Sequence, residues 1–133
     1  MIILVCILLA LALLWCLSIR GSRAHHYLET MRRFRYAHRG YHDKPQIPEN
    51  SLPAFRRALE RGWGAELDVH LLRDGQLAVI HDSSLKRTAG ADVQVETLTA
   101  AELAQYRLEG TEERVPLFSE VLALFSGKTP LIV

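Results

Sequence analysis

Glu66, Asp68, His70 and His81 are the residues of this chain whose types and spacing point to chemistry. Two carboxylates two positions apart repel each other when both are ionised, and a bound divalent cation relieves that repulsion. Hard cations of this kind prefer oxygen ligands. Residues 66–82 read as two strands joined at Asp74-Gly75, the dipeptide that suits a two-residue type I′ turn. In that register Arg73 pairs with Gln76, Leu71 faces Ala78, Val69 faces Ile80, and Asp68 lies directly opposite His81. The apolar pairs then share one face, while Glu66, Asp68 and His70 share the other by the strand period of two. A solvated polar face on a half-exposed strand produces the same alternation. The hairpin alone therefore leaves both readings open.

The elements that must position these residues follow from periodicity and punctuation. Residues 34–37 read as a short strand that ends at His38-Arg39-Gly40. Pro45 and Pro48 make residues 41–49 a loop. Ser51 is placed as an N-cap with Pro53 in the first turn, and Leu52, Phe55, Ala58 and Leu59 form a helical stripe stopped by Gly62. Residues 83–96 read as a loop. Thr99 to Glu102 is a capping box, with Leu98 and Leu103 at the staple positions, so a helix is expected from about Ala100 to Tyr106. Phe118, Val121, Leu122 and Phe125 give another helical stripe, stopped by Gly127. Residues 130–133 read as the start of a buried strand. Strands alternating with helices predict an α/β fold with a parallel sheet. A buried strand as the last residues suggests that the fold is truncated there.

Composition narrows the setting. The chain has 133 residues, with sixteen Lys and Arg against fifteen Asp and Glu. That balance provides no long-range field for a polyanion, so no nucleic-acid partner is expected. Residues 2–19 are an apolar run without charge, interrupted only by Ser18, and they meet the length expected of a membrane span. A cleaved signal peptide fits less well, because no basic region precedes the run and no small-x-small site follows it. The expected organisation is thus a transmembrane helix at 1–20, a juxtamembrane segment at 21–33 and a soluble domain at 34–133. Arg20, Arg23, Arg32, Arg33 and Arg35 all follow the run. The expected location is therefore a single-pass membrane protein, held in the lipid bilayer by its N-terminal helix, with the domain facing the cytoplasm. Cys6 and Cys16 both fall inside the run and provide no disulfide framework.

His38-Arg39-Gly40, Pro48-Glu49-Asn50-Ser51, Glu66-x-Asp68-Val69, Asp74-Gly75, His81-Asp82 and Leu85-x-Arg87-Thr88 occur in that order. In this arrangement residues 35–133 resemble the glycerophosphodiester phosphodiesterase family. The resemblance implies part of a TIM-type (β/α)₈ barrel, with the chemistry at the C-terminal ends of its strands. It implies that Glu66 and Asp68 are ligands of a divalent metal, calcium or magnesium, and that Glu49 is a neighbour at the site. His38 and His81 would be the acid/base pair, and Arg39 would hold the phosphate. A further acidic ligand would follow Val133. The implied activity is metal-dependent hydrolysis of glycerophosphodiesters to an alcohol and glycerol 3-phosphate. The alternatives are a lysophospholipase D-like enzyme acting on membrane lipids and a catalytically dead barrel that serves as a binding module.

Overall fold

The computed structural model describes residues 2–19 and 27–133, in two units, one ending at Met31 and the other spanning Arg32–Val133. The first unit contains helix α1 (Ile2–Ser18), which is apolar up to Ser18. Ser18 Oγ donates to the carbonyl of Trp15 at 2.8 Å, and Ile19 N donates to the same carbonyl at 3.2 Å. The helix ends there after 17 residues. At 1.5 Å per residue it is about 26 Å long, short of a hydrocarbon core about 30 Å thick. Among the described residues no helix is long and apolar enough to cross a membrane. This overturns the expected transmembrane helix, the single-pass membrane location and the bilayer as partner. Without a span, the arginine asymmetry assigns no side of a membrane either. Arg20, Arg23 and most of the expected juxtamembrane segment lie outside the described residues. Helix α2 (Leu28–Arg32) is a single short turn near that segment's end.

In the second unit, strands β1 (Tyr36–His38), β2 (Gly64–Glu66) and β5 (Leu131–Ile132) form one parallel sheet in the order β1-β2-β5. Helix α3 (Leu52–Glu60) connects β1 to β2, and helix α6 (Phe118–Phe125) precedes β5. This is the expected α/β alternation. Ser51 caps α3 by accepting from Ala54 N, as its position before the apolar stripe predicts. Phe55 from α3 and Phe125 from α6 meet edge to face at 6.1 Å. With Ala65, Leu67, Val79 and Val121 they form a buried core.

A hairpin of β3 (Val69–Leu71) and β4 (Leu77–Val79) stands apart as its own two-stranded sheet. Here the structure departs from expectation. The observed pairs are Val69↔Val79, His70↔Ala78 and Leu71↔Leu77, one residue off the predicted register. The connection has three residues rather than two. Gly75 N donates to Leu72 O at 3.0 Å, Leu72 N donates to Gln76 O at 2.8 Å, and Gly75 is left-handed with φ +83°. That is a type I turn closed by a left-handed glycine. Asp74 Oδ2 accepts from Ala100 N at 2.9 Å, which ties the turn to the first residue of the helix that follows Thr99. Asp68 O accepts from Ile80 N at 3.0 Å, so Asp68 faces Ile80 and not His81. Glu66 belongs to the parallel sheet, so the predicted common face of Glu66, Asp68 and His70 does not exist as one strand face. Both sides of the hairpin are used for packing. Leu72, Ala78 and Ile80 join a second core with Leu85, Val95, Leu103, Leu108 and Val115, while Val69 and Val79 pack on the first.

The expected loop at 83–96 contains helix α4 (Lys86–Ala89) and leads into a 3-10 turn, Val95–Thr97. The capping box of Thr99 and Glu102 is present, but α5 (Ala100–Leu103) is shorter than its pattern suggests.

Candidate active site at the C-terminal ends of β1 and β2

Parallel pairing brings the site together. His38 and Glu66 are register partners at the last positions of β1 and β2. His38 Nε2 lies 3.9 Å from Glu66 Oε2, and the imidazole is largely exposed. The chain then turns sharply. Arg39 is left-handed with φ +54°, and its N–H donates to Glu66 Oε2 at 3.1 Å. Gly40 follows with φ +79°, where a Cβ would stand 2.8 Å from the Ala54 Cβ. Only glycine allows α3 to approach this turn so closely. Asn50 is also left-handed, with φ +53°, and its N–H donates to Arg39 O at 2.9 Å. Two non-glycine residues in this sparsely populated conformation, locked to each other, are a form of strain that collects at functional sites.

Arg39 is the hub. Its Nη1 donates to Glu49 Oε1 at 3.0 Å. Its Nε is buried without a hydrogen-bond partner, 3.7 Å from Asp68 Oδ2. Asp68 Oδ2 also accepts a long bond of 3.4 Å from Asn50 Nδ2, and Asn50 Oδ1 is buried without a partner. Glu66, Asp68 and Glu49 are thus gathered around Arg39, with His38 beside Glu66.

Glu49 is the most enclosed charge in the group, with its side chain 8% exposed. It accepts from Arg39, from Lys44 Nζ at 2.6 Å and from Arg87 Nη2 at 2.6 Å. Burial pushes its carboxyl up, but hydrogen bonds and charge from Arg87 and Lys44 overcome that and hold it at about 2. Lys44 continues to Glu109 Oε1 at 2.8 Å.

His81 stands at the end of β4's continuation, and among the described residues it makes no hydrogen bond or ion pair with His38, Glu66 or Asp68. Its Nδ1 lies 2.6 Å from Asp82 Oδ1. Hydrogen bonds from Arg87 and from His81 hold Asp82 well below the usual carboxylate range, at about 2. An ionised carboxylate only accepts, so the neutral imidazole carries its proton on Nδ1 and its lone pair on Nε2. The carbonyl of His81 accepts from His70 Nε2 at 3.1 Å, and His70 Nδ1 meets Glu96 Oε1 at 2.6 Å. His70 is therefore a support for the His81 main chain.

The donor set partly suits a hard cation. Among the described residues Glu66 and Asp68 each make their contacts through one oxygen, Oε2 and Oδ2. Yet among the described residues no group of three or more His, Cys, Asp or Glu side chains is arranged to hold a metal ion. Two carboxylates cover only part of the six or so oxygen positions that such an ion takes.

Asn50, Asp82, Arg87 and Lys44 have no assigned role at the level of sequence. Asn50, Asp82 and Arg87 do lie within the recognised motifs, but their contacts reach across the chain. Lys44 carries no motif signal.

Comparison with known proteins bears on this geometry. The description "Glycerophosphoryl diester phosphodiesterase family" matches residues 38–132. A glycerophosphodiester phosphodiesterase of Caldanaerobacter subterraneus is 39% identical over 103 residues, covering 72% of this chain and 42% of that protein. Lysophospholipase D GDPD1 of Rattus norvegicus is 38% identical over 96 residues, covering 62% of this chain and 30% of that protein. The structure of an Oleispira antarctica phosphodiesterase in complex with the product sn-glycerol-3-phosphate superposes with a TM-score of 0.63 at 31% identity, over 72% of this chain and 42% of that one. The chain thus spans well under half the length of each of these proteins.

Proposed function

Because this chain belongs to the glycerophosphoryl diester phosphodiesterase family, we propose that the protein carrying it hydrolyses glycerophosphodiesters to an alcohol and glycerol 3-phosphate. One observation carries the reading beyond kinship. Arg39 Nη1 is fixed on Glu49, and among the described residues its buried Nε has no hydrogen-bond partner, 3.7 Å from Asp68 Oδ2, while the main-chain N–H of Arg39 donates to Glu66. A guanidinium held in place by Glu49 beside Glu66 and Asp68 suits charge-assisted contact with a phosphate.

Glu66 and Asp68 would hold a divalent cation, calcium or magnesium. When bound, it supplies positive charge against the phosphoryl oxygens. The chain's own groups carry the remaining work. Arg39 binds the phosphate and stabilises the charge that develops on it. His38 and His81 divide the proton transfers: one accepts the proton of the attacking hydroxyl or water, and the other donates to the departing alcohol. Imidazoles suit both roles near neutral pH. The lone pair on His81 Nε2, set by Asp82 on the other nitrogen, supports that histidine as a proton acceptor.

A second reading has its own support in the resemblance to lysophospholipase D GDPD1. Under it the same site acts on lysophospholipids. Release of the headgroup alcohol from glycerophosphocholine, measured against release from a lysophosphatidylcholine, separates the two substrate classes. Hydrolysis of neither would remove both readings.

A further inference from the structure

A chain of ionised contacts leaves the Glu49 cluster and ends on an imidazole. Arg87 donates from Nη2 to Glu49 Oε1 and from Nε to Asp82 Oδ2, each at 2.6 Å. Asp82 then meets His81 Nδ1 through its other oxygen, at 2.6 Å. One guanidinium therefore bridges a buried carboxylate from the loop before α3 and the carboxylate that touches His81. Arg87 itself is held on a fixed support. It lies in α4, where Thr88 is 3% exposed and the preceding Leu85 is fully buried.

We infer that Arg87 is a positioning residue for His81: it holds Asp82 from the far side, and so fixes the imidazole with Nδ1 inward and Nε2 left without a protein partner. The inference rests on the reading of His81 as a proton-transfer group. Among the described residues Arg87 makes no hydrogen bond or ion pair with Arg39 or His38, and it acts through Asp82 and Glu49.

The tautomer of His81 gives this role a signature. Asp82, held by Arg87, accepts from Nδ1 and keeps the proton of the neutral imidazole there. Without Arg87 the carboxylate loses its anchor, and without the carboxylate Nδ1 loses its charged acceptor. In both cases the proton is shared between the two ring nitrogens. The other groups that face His81 are His70, on its carbonyl, and Glu96, behind His70 with Ser83 donating to it. They are the same in every variant and drop out of the comparison. A role limited to bracing Glu49 or α4 would leave the His81 tautomer unchanged.

The test is nuclear magnetic resonance of ¹⁵N-labelled histidines in the full-length protein, for wild type, Arg87→Gln, Arg87→Lys and Asp82→Asn. Glu49 keeps Arg39 and Lys44 in the Arg87 variants, and the lysine variant also keeps the charge. In wild type, neutral His81 should carry its proton on Nδ1. In Arg87→Gln and in Asp82→Asn the His81 ring-nitrogen resonances should move toward those of a mixture of the two tautomers. Arg87→Lys should keep the wild-type resonances. A wild-type proton on Nε2, wild-type His81 resonances in Arg87→Gln, or resonances in the lysine variant displaced as far as in the glutamine variant would each overturn the inference. Turnover of glycerophosphocholine in the same samples keeps the two claims separable. If the shifts appear and wild type hydrolyses no phosphodiester, the positioning stands and the proposed function falls.

Discussion

His38 and Glu66 are register partners on adjacent parallel strands, so their side chains leave the same end of the sheet with 3.9 Å between Nε2 and Oε2. The pairing places the imidazole proposed for proton transfer beside a carboxylate without help from any loop. Glu66→Gln keeps the shape and an oxygen that accepts from Arg39 N–H. Stability should therefore change by less than about 1 kcal/mol. Turnover should fall about 10²-fold or more if the charge of Glu66 serves the transition state. Urea unfolding and steady-state kinetics on the same variant check both halves.

Glu49 should matter most to folding. Its carboxylate is 8% exposed and balances Arg39, Lys44 and Arg87. Glu49→Gln leaves three cations facing a neutral amide. Breaking a buried pair costs about 3–5 kcal/mol, and the partial exposure of Lys44 and Arg87 puts the expected loss near the lower end, about 3 kcal/mol. The chemical-denaturation midpoint measures it.

The same residue sets a pH dependence. The Glu49 carboxyl falls from an ordinary 4.5 to about 2 in the folded protein, and that of Asp82 falls from 3.8 to about 2. Depressed carboxyls bind protons more readily when unfolded. Their contribution is therefore present above the unfolded values and is lost as pH falls through the folded ones. Stability should decline between about pH 4.5 and 2, and the Glu49→Gln variant should decline less steeply there. Equal slopes for the two proteins would remove Glu49 from the account.

His81 and His70 should separate in kinetics. His81→Ala removes a proposed acid or base, at a cost of about 10²–10⁴ in rate. His70→Ala removes a bond to the His81 carbonyl and one to Glu96, which amounts to about 0.5–1.5 kcal/mol of stability per bond. Its effect on turnover should be far smaller. Equal kinetic losses would contradict the assignment of His81.

The comparison of sequence with structure has a physical pattern. His38, Arg39, Glu66 and Asp68 were legible because each sits within a short motif at the end of a strand, and parallel pairing then brings the motifs together. The caps at Ser51 and Thr99 were legible because a cap is local chemistry. The hairpin register was not. Asp74 bonds to Ala100 N, 26 residues away, and the turn takes a three-residue form that the Asp-Gly dipeptide alone does not specify. The reach of Arg87 to Glu49 spans 38 residues, so no spacing rule reveals it. At the N-terminus, hydropathy counted residues 2–19 as one span. The helix itself stops at Ser18, and among the described residues no helix is long and apolar enough to cross a membrane.

The most direct measurement of the central claim is release of glycerol 3-phosphate from glycerophosphocholine by the full-length protein, with calcium or magnesium present and after chelation. Arg39→Gln is assayed alongside, because the Arg39 guanidinium carries the proposed phosphate contact. The account predicts release that depends on the divalent cation and a loss of about 10²-fold in the Arg39 variant. No release by pure wild-type protein under any of these conditions, or full activity in Arg39→Gln, would contradict it.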